Sequence, residues 1–110
     1  MSISVNIYYT SKKEGNALLF AKEMEQSGIA DKIRAQEGNL RYEYFIPIDD
    51  KNTVLLIDSW KSQQALDIHH ASPMMAQIAA LREKYDLHMK FERYEAISET
   101  KNDDEKYIRK

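Results

Sequence analysis

The sequence predicts an α+β fold in which one antiparallel four-stranded sheet carries its helices on a single face. Two observations predict it. Segments with the two-residue period of half-buried strands alternate along the chain with segments of helical period. The order that results is β-α-β-β-α-β, and only the turn "DDKN" separates the middle two strands. Composition agrees with one ordinary globular domain: 110 residues support a single core, and 43% hydrophobic with 31% charged residues is not the balance of a disordered chain.

The first strand, "ISVNIYY", puts Ile3, Val5, Ile7 and Tyr9 on one face and Ser4, Asn6 and Tyr8 on the other. A helix is predicted over 16–36, with Leu19, Phe20 and Met24 on one stripe, Ile29 and Ile33 on another, and a kink at Gly28 between them. Gly38-Asn39 ends it. "LRYEYFIPI" alternates Tyr42, Tyr44 and Ile46 with Arg41, Glu43 and Phe45, and Pro47 marks an edge or a strand end. "TVLLIDSW" is the most β-prone run and is expected to be the most buried strand. Ser62 is a good N-cap for a helix whose face carries Ala65, Leu66, His69 and His70. Ser72-Pro73 is expected to restart it, with serine as N-cap and proline at the first helical position. Met74, Ile78, Leu81 and Tyr85 then point inward. In "LHMKFERYEAI" Leu87, Met89 and Phe91 oppose His88, Lys90 and Glu92.

This is the ferredoxin-like arrangement, assigned to residues 1–97. The sheet face away from the helices carries too much Val, Ile and Tyr to stay wet, so two sheets are expected to meet in a homodimer. The charged segment 98–110 reads as a frayed tail or a short helix lying on the partner subunit. A net charge of −2 favours neither nucleic acid nor an anionic membrane surface. The absence of cysteine removes disulfides, thiolate metal sites and thiol nucleophiles. No leader or membrane span is read from the chain, which makes the cytoplasm the expected location.

The runs "EGNLRYEYF", "LLIDSWKSQQALDIHHASPMM" and "LREKYDLHMKFERYE" resemble the antibiotic biosynthesis monooxygenase (ABM) domain family, from about Val5 to Ala96. The most specific element is an acid-x-Trp ending the third strand, followed by a capped helix with a histidine before Ser-Pro. The resemblance implies a ferredoxin-like protomer that dimerises through its sheet into an α+β barrel, with a pocket between sheet and helices in each subunit. Members of the family include cofactor-independent monooxygenases of quinols or polyketide aromatics, haem-degrading enzymes and an isomerase of a phosphorylated signal. The haem branch implies an asparagine, a tryptophan and an axial histidine; Asn6 suits the first, but the other positions fall on His69 and near Ala79. Where many members carry a second histidine after Ser-Pro, this chain has Met74, and His70 is the residue that could compensate.

On these grounds the candidate catalytic residues are His69, Asn6 and His70. Without the resemblance, His69 reads first as a packed helix residue and His70 as rim or solvent. Asn6 is an amide on an otherwise apolar strand, which must be satisfied or used if its face meets the helices. The candidate pocket residues are Tyr8, Tyr44, Asp58, Trp60, Met74 and Met75, although Trp60 and the methionines also fit a plain core. Asp58 shares a strand face with Trp60 and could orient an imidazole. His88 is expected to be exposed. No metal and no cofactor is called for: the three histidines lack clustered carboxylates, and the glycines at 15, 28 and 38 stand alone.

The leading expectation is a cofactor-independent monooxygenase acting on a small electron-rich aromatic, with dioxygen as co-substrate. His69 would remove a phenolic proton, and Asn6 with Tyr44 or Trp60 would hold the anion. The alternatives are an isomerase of a small carbonyl or sugar-like metabolite, in which the same histidine shuttles a proton, and a non-catalytic ligand-binding or stress-response dimer.

Overall fold

Strand alternation decides which face of the sheet is covered. The computed structural model describes residues 1–97 and 106–110. In it β1 (Ile3–Thr10), β2 (Asn39–Phe45), β3 (Thr53–Trp60) and β4 (His88–Glu95) form one antiparallel sheet in the order β2-β3-β1-β4. Tyr9, Val54, Leu56 and Trp60 are buried on the helix-facing side. Cross-strand pairing lines residues up in rows, one running Tyr42, Asp58, Val5, Arg93 and the next Tyr44, Leu56, Ile7, Phe91. As expected, β3 is the most buried strand.

The helices are α1 (Asn16–Gln26), α2 (Ile29–Arg34), α3 (Gln63–His70) and α4 (Met74–Lys84). The single helix expected over 16–36 is therefore two. Gly28 stands between them at φ 86°, a left-handed conformation that ends one helix and starts the next. Phe20, Met24 and Ile33 are fully buried, whereas Leu19, expected on the same stripe, is half exposed. Ser62 caps α3 as anticipated, its hydroxyl accepting from the Ala65 N–H at 3.1 Å. Ser72 does not cap α4. Its hydroxyl is buried without a partner, Pro73 takes the cap position, and the Ser72 carbonyl accepts from Met75 instead.

Two departures bear on the site. Gly38, at φ 88°, lies so close beneath α3 that a Cβ there would stand 2.7 Å from that of Ala65, so a side chain is excluded where β2 passes under the helix. At the opposite edge the helices stop short of β4, leaving Met89 50% and Phe91 69% exposed. Residues 98–105 of the predicted tail lie outside the described residues, and 106–107 form one short 3₁₀ turn.

Candidate functional site

Between the uncovered edge strand and the α3–α4 corner lies a cavity of about 250 Å³. Val5, Ile7, Met89 and Phe91 make its floor, and Leu66 and Met75 its wall. An apolar cavity of about 150 Å³ admits benzene, so this volume suits one substituted ring. Four polar residues face the same space: Asp58, His70, Arg82 and Arg93. Larger depressions exist beside α1, at about 400 Å³, and on the outer sheet face, at about 560 Å³, but charged and polar surface side chains dominate their linings.

Asp58 comes from the centre of the sheet, where its 5% exposure is unusual for a carboxyl. Trp60, two residues on and therefore on the same face, donates its indole N–H to Asp58 Oδ1 at 2.7 Å. Burial raises the carboxyl to about 7, against the opposing pull of that hydrogen bond and of the Arg82 charge. Close to neutral pH such a group takes and returns a proton with little driving force either way.

Arg82 enters from α4, one turn after buried Ile78. Its Nη2 donates to the Tyr9 hydroxyl at 3.1 Å, its guanidinium lies 5.6 Å from the centre of that ring, and its buried Nε has no partner. Burial raises Tyr9, so the phenol stays neutral beside the cation. Arg93, at the β4 end of the Asp58 row, donates to Gln63 Oε1. Gln63 in turn donates to Asp67 at 2.7 Å, which holds its oxygen toward the arginine.

The two histidines have separate places. His69 is 3% exposed and is not among the residues lining the cavity. Its ring stacks on Trp60, with centroids 4.8 Å apart and 22° between planes, and its Nδ1 lies 2.7 Å from Gln36 Oε1. An amide oxygen only accepts, so Nδ1 carries the proton. Burial, with smaller contributions from His70 and Arg82, lowers His69 to about 4 and leaves it neutral at pH 7. His70, one residue further round the helix, is the histidine that reaches the cavity, its ring 5.7 Å from that of His69.

The remaining predicted residues divide. Asp58 and Met75 line the cavity, and Trp60 stands directly behind Asp58. Asn6 does not join them. It pairs with Ile57 and Glu92 on the sheet face away from the helices, so it cannot hold an anion generated beside Asp58 or either histidine. Tyr8 shares that outer face and borders the depression there. Tyr44 lies on the helix side but over α1, packed edge-on against Phe20 and Tyr42 rather than in the cavity. Met74 packs against the core without being among the lining residues. His88 is exposed, 3.9 Å from Asp86.

Arg82 and Arg93 were missed. Each carried a signal: Arg82 follows Ile78 by four residues on the inward stripe, and Arg93 continues the Met89, Phe91 alternation. Among the described residues no group of three or more His, Cys, Asp or Glu could hold a metal ion, and no helix is long and apolar enough to cross a membrane.

Residues 2–81 match the protein family described as antibiotic biosynthesis monooxygenase. A Bacillus subtilis relative, "Putative monooxygenase YcnE", is 30% identical over 46 residues, 42% of this chain and 48% of that protein. The match thus spans about half the length of that curated relative. A "putative antibiotic biosynthesis monooxygenase" from Deinococcus radiodurans superimposes with a TM-score of 0.74 at 21% identity, covering 93% of this chain and 98% of the other. SnoaB, a cofactor-independent oxygenase from Streptomyces nogalater, superimposes with a TM-score of 0.72 at 14% identity, covering 92% and 98%. At these identities the solved structures establish a shared fold.

Proposed function

Because the chain belongs to the antibiotic biosynthesis monooxygenase family, we propose that it oxygenates a small phenol or quinol, without a cofactor, in the cavity between its sheet and helices. One observation carries this reading: a buried carboxyl held near pH 7 and a guanidinium with an unpartnered N–H face the same apolar, ring-sized space.

In this mechanism the Asp58 carboxylate takes the phenolic proton, and Arg82 stabilises the phenolate in a site where little water screens the charge. The electron-rich ring then reacts with dioxygen. The substrate supplies both reducing equivalents, so one oxygen atom enters the ring, as a quinone carbonyl from a phenol or as a hydroxyl on the quinone from a quinol, and the other leaves as water. His70 accepts or returns a proton at the mouth of the cavity. His69 is a positioning residue: hydrogen-bonded to Gln36 and stacked on Trp60, it fixes the indole that orients Asp58.

Oxygen uptake with a panel of hydroquinones tests the assignment. Asp58→Asn and Arg82→Met are expected to lower kcat by about 100-fold or more, His70→Ala by less, and Asn6→Ala to have little effect. Absence of uptake by the wild type across the panel overturns the oxygenase reading. Proton exchange at a substrate carbon without oxygen consumption would reassign the same base to an isomerase.

The cytoplasmic homodimer belongs to this proposal as well. Leu55 and Ile57 on the outer sheet face are only half-buried, and Tyr94 on the same face is 51% exposed, which supports a second sheet packed there. Gel filtration is expected to give about twice the 12.9 kDa protomer mass, and an Ile57→Lys variant to elute as a monomer.

A further inference from the structure

Resting on the reading of this cavity as the substrate site, we propose that it selects an anionic ring: the substrate is an aromatic monocarboxylate, its carboxylate against Arg93 and its reacting hydroxyl toward Asp58 and Arg82.

The arginines of the sheet-and-helix body fall into two sets. Those away from the cavity are neutralised within the chain, Arg34 by Glu25 and Asp31 and Arg41 by Glu43. Arg82 and Arg93, which line the cavity, have only neutral partners, a tyrosine hydroxyl and a glutamine amide. Among the described residues neither forms a carboxylate salt bridge, and a buried Nε of Arg82 makes no hydrogen bond. The buried Nε of Arg82 bears the cost of desolvation without a partner, whereas Arg93 stands exposed at the cavity rim, where its charge is open to an incoming anion.

Asp58 supplies a counter-charge to Arg82 only in part. It accepts from Trp60, and burial works against its ionised form. Arg93 and the carboxyl at the inner end of the cavity stand apart. Arg93 and Asp58 sit on one cross-strand row with Val5 between them, two strand spacings or roughly 10 Å apart at the backbone. The gap is floored by Val5, Ile7 and Phe91, which suits an apolar ring carrying a polar group at each end. Gln63 holds Arg93 in place before any ligand arrives, so a bidentate carboxylate contact needs little reordering.

The test compares 4-hydroxybenzoate with its methyl ester, which keeps the ring and hydroxyl and removes only the charge. Calorimetry reads affinity, and NMR shifts of the Met75 and Met89 methyls locate each ligand in the cavity. The acid is expected to bind at least about tenfold tighter than the ester at low salt, a preference of about 1.4 kcal/mol. In Arg93→Met the two ligands should come within about threefold of each other, and Arg93→Lys should restore part of the difference. Equal affinity for acid and ester in the wild type, a full preference surviving in Arg93→Met, or ligands that leave both methyls unshifted would each overturn the proposal. Oxygen uptake with hydroquinone and with its carboxylated form, 2,5-dihydroxybenzoate, run on the same preparation, separates the two ideas. Uptake without acid preference removes anion selection alone, whereas acid preference in binding with no uptake from either compound supports anion selection and removes the oxygenase.

Discussion

The two halves of the helix-facing surface are built from the same kinds of residue and put to different uses. Over β2 and β3, α1 and α2 close the sheet: Phe20, Met24 and Ile33 are fully buried, and Tyr42 is 3% exposed. Over β4 the helices stop short, so Met89 and Phe91, which alternation places on the same face, line a cavity instead of a core. The sealed half supplies packing. The open half spends stability on an uncovered apolar floor, a buried carboxyl and a guanidinium whose Nε has no hydrogen-bond partner, which is the pattern expected where a ligand completes the structure.

If this contrast is right, truncating one phenylalanine on each side should give unequal results. Phe20→Ala, in the sealed half, is expected to cost about 3–5 kcal/mol by urea denaturation. Phe91→Ala, in the open half, should cost less than about 1 kcal/mol and instead weaken ring binding. Similar losses from both would erase the distinction.

The buried carboxyl sharpens it further. Asp58 is raised from 3.8 to about 7, so between those values the folded state binds the extra proton and stability declines as pH rises. Asp58→Asn keeps an acceptor for the Trp60 N–H and removes the ionisation. Relative to wild type it should gain on the order of 3 kcal/mol between pH 4 and pH 8 while losing turnover. A variant that is less stable at pH 8 would show that Asp58 serves the sealed core rather than the open site.

His69 titrates with the opposite sign. Its pKa falls from 6.5 to about 4, so the unfolded chain binds more protons in that interval and stability drops as pH falls through it. Wild type should lose about 2 kcal/mol more than His69→Gln between pH 7 and pH 4 in denaturation curves. A flat difference would mean that water reaches the imidazole and that it belongs to the open half.

Much of this was readable from local pattern. The four strands and the cap at Ser62 follow from period and residue type, which act over a few residues. Asn6 could have been placed better, because it is out of phase with Ile3, Val5, Ile7 and Tyr9 and so falls on the outer face whenever those four are inside. Gly28 marked a break that proved complete, because a left-handed residue reorients the following helix instead of bending it. Asp86 closes α4 at φ 52° without the usual glycine, a conformation that aspartate tolerates better than most residues.

The sequence by itself determined the order of elements, the inward face of each strand and the presence of a histidine pair before Ser-Pro, because all of these depend on spacings within one segment. Only the tertiary structure decided what those residues meet. Whether His69 or His70 reaches the cavity turns on about 100° of helix rotation against a sheet far away in sequence. Arg82 and Arg93 come to line one cavity with Asp58 only through the β3-β1-β4 pairing and the docking of α4. Such contacts are long-range, and no local period encodes them.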